Sequence, residues 1–445
     1  MQSPHRFHEI RSKVAEFIGF RRVGEGIPCG RIFRLPLAGL GFFMTSAMLF
    51  GAEQWPEFRG PTGQGLSKSQ SPPLKWSSAK NVRWKAPLSG IGWSSPVVVD
   101  SRIYLTSAVP VEGGSPSLHV SCRDFATGEP FWDVKVFASN PGAVTRIHQK
   151  NSDASPTPIV AGGRLFVHFG HLGTACLNLD GKVIWRNTSL AYSPVHGNGG
   201  SPALVGDLLV FSCDGASDPF IVALDSQTGT ERWKTPRSVS APKRFSYSTP
   251  LVIQVGGDLQ IVSPASGGIC AYSPLTGQEI WRARYGDGYS VIPRPVFGHG
   301  MVFLATGYDR PNAMAIRVDG KGDVTDTHVA WSVSRGAPNT PSLVLDGEEL
   351  YMVSDAGIAS CLEAKTGTAI WSERLGGNFS ASPVLAAGRL YFQNEEGVGF
   401  VVKAGRRYEL LARNDIQERT LASPAFVGDS IVLRGAAHLY RFEAP

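Results

Sequence analysis

Short apolar runs separated by turn residues fill most of this chain. In one clean copy, residues 340–345 read as a strand, 346–347 as an Asp-Gly turn and 349–353 as a second strand. Residues 358–363 and 369–371 supply a third and a fourth strand after further turns. Runs rich in β-formers and broken by Asp-Gly or Thr-Gly are the sequence signal of antiparallel hairpins. The pattern therefore predicts a small sheet of four consecutive strands.

This unit recurs eight times along the chain. Each copy opens with an apolar run marked by a proline, which suits the first residue of a strand because proline lacks an N–H. The eight prolines are Pro96, Pro156, Pro202, Pro250, Pro295, Pro341, Pro383 and Pro424. They are separated by 41 to 60 residues. A repeat of this length with several strands per unit indicates a propeller or a solenoid, whose units stack because one unit cannot bury its own apolar faces.

A tryptophan marks the fourth strand of most copies. Five tryptophans lie four residues after a glycine: Trp132, Trp185, Trp233, Trp281 and Trp371. Trp331 has a longer approach, and Trp84 belongs to a segment that precedes the first copy. The copy after Pro383 has Leu410 and Leu411 at the expected position. A glycine at a fixed offset indicates a turn with positive φ, and we expect the seven rings to be structural, packed alike between neighbouring units.

The two ends of the repeat array complement each other. The last copy contains about three strands, whereas residues 81–85 form an unmatched fourth strand ahead of the first copy. Pairing the two would close a ring and remove the exposed edges of an open array. We therefore predict an all-β fold, an eight-bladed β-propeller of four-stranded blades over residues 81–445, closed by the N-terminal strand that completes the last blade. An open β-solenoid is the alternative.

The N-terminal part of the chain has a different composition. Residues 1–34 carry seven Lys or Arg and three Glu, and residues 35–52 are uncharged and largely apolar. This arrangement predicts a signal peptide over residues 1–52, with an uncleaved membrane anchor as the alternative. Residues 53–80 are rich in Pro, Gly and Ser and are expected to form an irregular strap across one face of the ring. The predicted location is periplasmic or secreted, in the cell envelope.

Net charge and the positions of the cysteines bear on the partners and on disulfide bonding. The chain carries a formal charge of +6, of which +4 belongs to residues 1–34. The remainder is close to neutral, so no nucleic-acid partner is predicted. Cys122, Cys176 and Cys361 share one position in the third strand, where two other copies have alanine. Because equivalent positions of different blades are too far apart to bridge, we predict unpaired thiols that act as small apolar residues.

Candidate binding residues lie in the loops that lead into the innermost strand of each blade. In a propeller these loops surround the axial funnel, and a concave polar mouth is the default place for a ligand. The candidates are His148, Asn151, Asp153, His196, Asn198, Arg244, Tyr247, Arg294, Arg335, Asn339, Asn378 and Arg419. They form a mixed polar ring with several cations, which suits a small polar or anionic ligand. The alternative is that they satisfy backbone groups and fill the channel.

No metal site and no catalytic motif is predicted. His168 and His171 are three residues apart, a spacing that places side chains on opposite sides of a strand. Asp214 and Asp218 bracket a loop that lacks the ligand spacing of a calcium loop. The sequence also lacks a C-x-x-C-H haem motif, a G-x-S-x-G elbow, an H-E-x-x-H motif and a P-loop.

The repeat resembles that of the pyrroloquinoline quinone (PQQ) propeller proteins. Residues 222–233, V-A-L-D-S-Q-T-G-T-E-R-W, carry this likeness, and it extends from Asn81 to the end of the chain. Residues 55–63, W-P-E-F-R-G-P-T-G, look like the start of exported bacterial PQQ-like repeat proteins. The resemblance implies a β-propeller fold and an exported protein more than it implies a reaction.

Two branches of this superfamily imply different functions. Similarity to the BamB branch implies a non-catalytic docking scaffold whose partner is an envelope protein, which is our prediction, and we expect a monomer. The quinoprotein dehydrogenase branch implies an oxidoreductase with PQQ and Ca²⁺ in the funnel, where Arg244, Arg294 or Arg335 could neutralise the cofactor's carboxylates. The chain lacks the adjacent Cys-Cys pair of that branch, so no cofactor is firmly predicted. A glycan-binding or glycan-processing propeller is a third alternative.

Overall fold

The protein forms a ring of eight small antiparallel sheets. The computed structural model describes residues 54–112, 114–138 and 147–444, and the predicted leader, residues 1–52, lies outside them. Each sheet is a blade in which four strands run outward from the centre of the ring. The prediction of an eight-bladed β-propeller with four-stranded blades is confirmed.

The strands follow one another around the ring. β1 (Val82–Pro87) comes first and belongs to the last blade. Blades 1 to 4 comprise in turn β2 (Val97–Val99), β3 (Arg102–Val111), β4 (Gly114–Asp124), β5 (Pro130–Phe137); β6 (Ile159–Ala161), β7 (Arg164–His168), β8 (Thr174–Asn178), β9 (Val183–Asn187); β10 (Ala203–Val205), β11 (Leu208–Cys213), β12 (Phe220–Asp225), β13 (Glu231–Pro236); β14 (Leu251–Val255), β15 (Asp258–Ala265), β16 (Gly268–Tyr272) and β17 (Glu279–Arg284). Blades 5 to 7 comprise β18 (Val296–Gly298), β19 (Met301–Ala305), β20 (Ala313–Arg317), β22 (Val329–Val333); β23 (Val344–Asp346), β24 (Glu349–Val353), β25 (Ile358–Glu363), β26 (Ala369–Arg374); β27 (Val384–Ala386), β28 (Arg389–Gln393), β29 (Val398–Lys403) and β30 (Leu410–Asp415). Blade 8 comprises β31 (Ala425–Val427), β32 (Ser430–Arg434), β33 (His438–Glu443) and β1.

Little of the described chain departs from this plan. The two-residue strand β21 (Gly322–Asp323) extends the outer edge of blade 4, and the one-turn helix α1 (Thr325–His328) follows it. A 3₁₀ turn at Gly170–Leu172 joins β7 to β8. Among the described residues, no helix is long and apolar enough to cross a membrane.

The apolar core lies between neighbouring blades. One cluster joins Phe166 of blade 2 to Phe211 and Leu224 of blade 3, and another joins Phe303 of blade 5 to Leu350 of blade 6. Each of these side chains is at most 2% exposed. A sheet has two faces, so a blade in a ring buries both against its neighbours. In the outermost strand β13, exposed residues largely alternate with half-buried ones, because one face of the strand meets water at the outer rim of the ring.

The ring is closed by the first strand of the chain. β1 pairs antiparallel with β33, placing Lys85 opposite Tyr440 and Pro87 opposite His438. The Glu443 N–H donates to the Asn81 carbonyl at 2.9 Å, which extends the ladder by one bond. The predicted closure is therefore confirmed.

The tryptophans of six blades contact the following blade in the same way. In blade 2 the Trp185 indole N–H donates to the Ser226 carbonyl of blade 3 at 3.1 Å, and the ring lies over Gly229. A Cβ on Gly229, whose φ is +74°, would come within 2.4 Å of the indole, so the turn needs glycine both for its backbone and for the ring. The same N–H bond to a turn carbonyl of the next blade is made by Trp84, Trp132, Trp233, Trp331 and Trp371. Trp281 differs, because its indole donates to Gln260 within its own blade.

Blade 7 has no tryptophan in its fourth strand, and a tryptophan of the N-terminal segment packs there instead. The residue opposite Val401, where other blades have tryptophan, is Ala412, so the expected equivalence of Leu410 and Leu411 is wrong by one or two residues. Beside Ala412, the indole of Trp76 stacks on Tyr391 of blade 7 at a centroid distance of 6.2 Å. Trp76 also contacts Phe442 of blade 8 at 6.0 Å.

Two of the marker prolines are out of register with the other six. Six prolines immediately precede the innermost strand of their blade, but β6 begins at Ile159 and β23 at Val344. The equivalent positions are therefore Pro158 and Leu343, and the assignments of Pro156 and Pro341 are wrong by two residues. A proline two residues upstream still marks an extended approach to the strand, which explains the error.

The five cysteines within the described residues are buried and unpaired. Cys122 lies opposite Trp132 across the last two strands of blade 1. Cys176 and Cys361 occupy the same position opposite the tryptophans of blades 2 and 6. The predicted role as small apolar residues in one repeated position is confirmed for these three.

Candidate ligand-binding site

A belt of polar residues surrounds the axial channel, one at the start of each innermost strand. The belt consists of Ser95, Thr157, Ser201, Thr249, Arg294, Ser342, Ser382 and Ser423. In six places the backbone N–H of one belt residue donates to the side-chain hydroxyl of the next blade, at 2.8 to 3.0 Å. These bonds link the blades around the channel and orient the hydroxyl groups.

The segment after the predicted leader crosses the channel on the inner side of this belt. Trp55 forms a two-way backbone bridge with Val98 of blade 1, and the Pro56 carbonyl accepts the Val160 N–H of blade 2 at 2.9 Å. Leu66 then pairs with Leu385 of blade 7. Between these contacts the chain spans the channel, and the side chain of Phe58 lines the cavity above it.

Two buried arginines hold this crossing in place. The Arg294 Nη1 donates to the Phe58 carbonyl at 2.7 Å, and its Nη2 lies 3.5 Å from Glu57. The Arg59 Nη2 donates to the Leu343 carbonyl at 2.6 Å. Burial, and secondarily the charge of Arg294, lowers the pKa of Arg59 to about 9. The two guanidinium groups therefore bind backbone at the closed end of the channel.

Aromatic rings form an arc on one side of the mouth. His148 and His196 meet edge to face at 5.8 Å, and His196 meets Phe245 at 5.5 Å. Phe245 then contacts Tyr289 edge to face at 5.4 Å. Tyr308 continues the arc, because its N–H donates to the Tyr289 carbonyl at 2.9 Å. These residues come from the loops of blades 1 to 5.

Charged groups on the other side of the mouth are paired with the protein. The Lys150 Nζ lies 2.6 Å from Glu395, which also accepts the hydroxyl of Ser380. Asp355 accepts the Asn339 N–H and the Thr340 hydroxyl, both at 2.6 Å.

The mouth leads into a cavity of about 260 Å³. Eleven of its lining residues are serine or threonine, and eight of the others carry aromatic rings or imidazoles. Within the described part of the chain, the lining contains no Asp or Glu, and Lys150 is its one Lys or Arg. Phe58, from the crossing segment, is one of these aromatic residues.

Four of the candidate residues line this cavity: His148, Asn151, His196 and Tyr247. The Asn151 amide donates to the His196 carbonyl at 2.9 Å, and the Tyr247 hydroxyl donates to the Val195 carbonyl. Burial raises the pKa of Tyr247, so its phenol stays protonated. The hydrogen bonds of Asn151 and Tyr247 therefore fix the loops that join blades 1 to 4. The side chains of all four candidates line the cavity.

The other eight candidates do not line it. Arg294 belongs to the belt, but its guanidinium is bonded to the crossing segment. Asn198 is buried and hydrogen-bonded to Tyr192, Phe169 and His171. Arg244 lines a separate surface groove beside blades 2 and 3. The remaining five lie on the loops that lead into the innermost strands: Asp153 and Asn339 are half-buried, while Arg335, Asn378 and Arg419 are exposed. Arg419 stacks over the ring of Trp93, and Asn378 is hydrogen-bonded to Glu396.

Sequence reasoning missed most of the cavity wall. Four aromatic residues of the wall lie in or next to the loops that supplied the candidates: Trp93, Phe245, Tyr289 and Tyr308. The candidates were chosen mainly for charged, amide and imidazole side chains, so these rings were not among them. Their clustering in loops, where core packing does not require rings, is the signal that could have found them. Phe58 had no such signal, because it belongs to no repeat.

The cavity does not fit PQQ with Ca²⁺. That cofactor carries several carboxylates, and its metal needs oxygen ligands that usually include Asp or Glu. Among the described residues, the lining contains no acidic side chain and its one cation, Lys150, is paired with Glu395, while the Arg294 guanidinium is bonded to the crossing segment. Within the described ranges no group of three or more His, Cys, Asp or Glu could hold a metal ion.

A buried ion pair lies outside this cavity. Arg237 and Asp214 are both completely buried, with two N–H to carboxylate contacts of 2.9 Å. The guanidinium also donates to Ser212 of blade 3 and Ser263 of blade 4. Asp214 therefore ties two blades together and is not part of a calcium loop. His168 is buried as well, and its Nδ1 lies 2.8 Å from the Thr174 hydroxyl.

The fold and the repeat define the class of the protein as a PQQ-like β-propeller. Its sequence matches the family described as outer membrane protein assembly factor BamB over residues 116–322 and 320–441. The match covers more than half of the chain, and the chain belongs to this family.

Individual relatives are more distant. The chain is 28% identical over 284 residues to the outer membrane protein assembly factor BamB of Burkholderia pseudomallei, covering 63% of this chain and 55% of that protein. It is 28% identical over 155 residues to BamB of Alkalilimnicola ehrlichii, covering 34% of this chain and 38% of the relative. The chain thus spans about half or less of the length of these relatives.

Solved structures share the fold at low identity. BamB from Moraxella catarrhalis superposes with a TM-score of 0.53 and 14% identity, over 81% of this chain and 98% of the other. A europium-containing methanol dehydrogenase gives 0.54 and 11%, over 88% and 98%. The quinohemoprotein alcohol dehydrogenase ADHIIG from Pseudomonas putida HK5 gives 0.60 and 12%, over 88% and 80%. At these identities the likeness concerns the fold alone.

Proposed function

We propose that this protein is an exported, non-catalytic propeller that docks a partner in the cell envelope, with the mouth of the channel as its binding face. The observation that carries the proposal is the channel itself. It is closed at one end by residues 55–66 and lined at the other by aromatic rings and hydroxyl groups, a surface suited to recognition. Lys150 and Asp355 beside the channel are already bonded to other groups of the protein.

Family membership supports a role in the envelope. The relatives are described as outer membrane protein assembly factors, which act with protein partners. By this proposal residues 1–52 direct export or anchoring, and an envelope protein binds the loops around the mouth. The match to the Burkholderia relative covers only 55% of that protein, so the partner of this chain has to be identified by experiment.

Photo-crosslinking from the two faces of the ring tests the proposal. Arg335 is exposed on the loop from β22 to β23, on the face of the ring that carries the mouth. Leu275, 90% exposed, lies in a turn between third and fourth strands and so at the opposite face. A photoreactive residue at each position in the full-length protein, expressed in its native envelope, should give a discrete protein adduct from position 335 and none from position 275. Equal labelling from both positions would contradict a docking face at the mouth.

The quinoprotein alternative is tested separately. Purified protein is incubated with PQQ, Ca²⁺ and a panel of alcohols and sugars, and reduction of an artificial electron acceptor is followed. We expect no substrate-dependent reduction, because the cavity offers no acidic ligands for the metal. Turnover that depends on PQQ would overturn the non-catalytic assignment.

A further inference from the structure

We propose that the axial cavity binds one neutral sugar residue, either a free saccharide or the terminal residue of an envelope glycan. The inference rests on the proposed function in one respect, that the mouth is the binding face. Three features of the cavity lead to it: unused hydroxyl donors, an aromatic wall, and a lining in which the one charged residue among those described, Lys150, is already paired.

The belt leaves hydroxyl protons available to a ligand. The hydroxyls of Thr157, Ser201 and Thr249 each accept an N–H from the preceding blade, and none has an acceptor for its own proton among the described residues. The same holds for Ser423. A hydroxyl can donate and accept at once, so the belt presents donors at the base of the cavity. Sugar hydroxyls, which are also both donors and acceptors, are the complementary groups.

The aromatic arc provides the apolar contact that a sugar ring needs. A pyranose has a face of C–H groups, and an aromatic face carries partial negative charge that attracts such hydrogens. Phe245 and Tyr289 are held by an edge-to-face contact at 5.4 Å, and the Lys243 Nζ lies 4.0 Å from the centre of the Tyr289 ring. These contacts fix the rings before a ligand arrives, which lowers the entropy cost of binding.

The charges around the cavity favour a neutral ligand over an anion. Lys150 is neutralised by Glu395 at 2.6 Å, and Asp355 is satisfied by backbone and hydroxyl donors. Arg419 is stacked on Trp93 at the rim and donates to the Gln149 carbonyl. A carboxylate or phosphate would therefore have to break the Lys150–Glu395 ion pair to reach the one cation in the described lining. A neutral polyhydroxylated ring would not.

The size of the cavity limits the ligand. Its volume of about 260 Å³ is just below the roughly 300 to 1,000 Å³ of most small-molecule sites. Phe58 and the crossing segment close its inner end. The cavity is therefore suited to one sugar ring, with any further residues of a glycan extending out through the mouth.

Saturation-transfer NMR with purified full-length protein tests the inference. The probes are methyl β-glucoside and methyl N-acetyl-β-glucosaminide, with cellotriose and chitotriose as oligosaccharides. We expect transfer to the ring protons of at least one probe at millimolar concentration. Transfer to every unit of a trisaccharide alike would contradict a one-residue cavity, whereas transfer confined to a terminal unit supports it. A stronger response from the trisaccharides would identify a glycan as the source, and an equal response a free saccharide.

Paired variants locate the site. Tyr289→Ala removes the stacking ring and should weaken binding about tenfold, whereas Tyr289→Phe keeps the ring and should bind within about threefold of wild type. Leu275→Ser, on the opposite face, should bind as wild type. Loss of binding in Tyr289→Phe and Tyr289→Ala alike, or no loss in either, would overturn the proposed stacking.

Failure of this inference can be told apart from failure of the proposed function. If no sugar gives transfer while uncharged peptides do, the cavity binds peptide and the sugar assignment is wrong. Crosslinking from position 335 can still succeed in that case, because it reports a partner at the rim. If crosslinking fails and the sugar binds, the docking proposal is wrong while the cavity assignment holds.

Discussion

At the scale of single residues, the repeat uses one interaction many times. An indole lies over a glycine turn of the next blade, and its N–H bonds to a turn carbonyl there, as Trp185 does with Gly229 and Ser226. The indole thus buries a large apolar area and satisfies its one donor at the blade interface. Blade 7 has Ala412 at this place, and Trp76 from the N-terminal segment supplies the missing ring.

We expect Trp76→Ala to destabilise the protein by about 3–5 kcal/mol, the usual cost of removing a buried tryptophan. Trp76 is 5% exposed and packs between Tyr391 and Phe442. Trp371→Ala, in a repeat position, is the matched control and should cost a similar amount. Urea unfolding followed by tryptophan fluorescence and circular dichroism measures both. A Trp76→Ala variant as stable as wild type would show that this ring adds nothing to the blade interface.

A buried histidine should make stability depend on pH. Burial, and secondarily the charge of His171, lowers the pKa of His168 from its usual 6.5 to about 3. Between those values the unfolded chain binds a proton that the folded protein does not, so this contribution to stability is present above pH 6.5 and is lost as the pH falls towards 3. The slope is at most about 1.4 kcal/mol per pH unit.

Urea unfolding at pH 7.5, 6 and 5 measures this slope. His168→Gln should be less stable than wild type at pH 7.5 but should lose less stability on acidification. The exposed His299 serves as the control, and His299→Gln should keep the wild-type slope. An unchanged slope in His168→Gln would assign the acid sensitivity to other groups.

At the scale of strands and blades, the features that recur in every repeat could be predicted from the sequence. Features that occur only once could not. The four-strand unit, the number of blades and the strand at residues 81–85 that closes the ring all follow from the period and its incomplete ends. The predicted strand starts at Pro156 and Pro341 are wrong by two residues, because a proline marks an extended segment but does not fix the first residue of the hydrogen-bonded strand.

The candidate site shows the same division. The loops that form the mouth were identified from the repeat, and four of their polar residues do line the cavity. The aromatic arc and the role of Arg294 depend on contacts between loops far apart in the chain. Arg294 bonds to Phe58, more than two hundred residues away, and no local pattern reports such a contact.

One such contact joins blades 3 and 4. Asp214 is the carboxylate paired with the buried Arg237 among the described residues, so Asp214→Asn leaves a guanidinium without its counter-charge and should cost about 3–5 kcal/mol. Asp207→Asn is the matched control, since Asp207 pairs with Arg232 in an exposed ion pair and should cost no more than about 1 kcal/mol. Thermal unfolding by calorimetry compares the two. Equal effects would mean that burial does not decide the importance of these pairs.

At the scale of the whole molecule, the ring is held together where its two ends meet. The four main strands of blades 1 to 7 each come from one region of the chain, and the short strand β21 at the edge of blade 4 is the one addition from a later region among the described residues. Blade 8 instead combines β1 with β31 to β33, from opposite ends of the propeller. The N-terminal segment adds contacts to blades 1, 2 and 7 before it reaches β1. The N-terminal segment therefore contacts the blades on both sides of blade 8, where the ring closes. Opening the ring requires β1 to separate from β33.

Deleting residues 81–85 should open the ring. The outer edge of β33 would lose its partner, and an unpaired edge next to exposed apolar faces favours aggregation. The control is the double substitution Val82→Glu and Ala86→Thr, which gives β1 the sequence E-R-W-K-T-P of the equivalent strand β13. Because that sequence already serves as the outermost strand of blade 3, the substituted protein should remain monomeric and melt close to wild type. Size-exclusion chromatography and thermal unfolding compare the three proteins. A deletion variant that stays monomeric with unchanged melting would show that β1 is dispensable, and closure by strand pairing would then have to be abandoned as the source of the ring's stability.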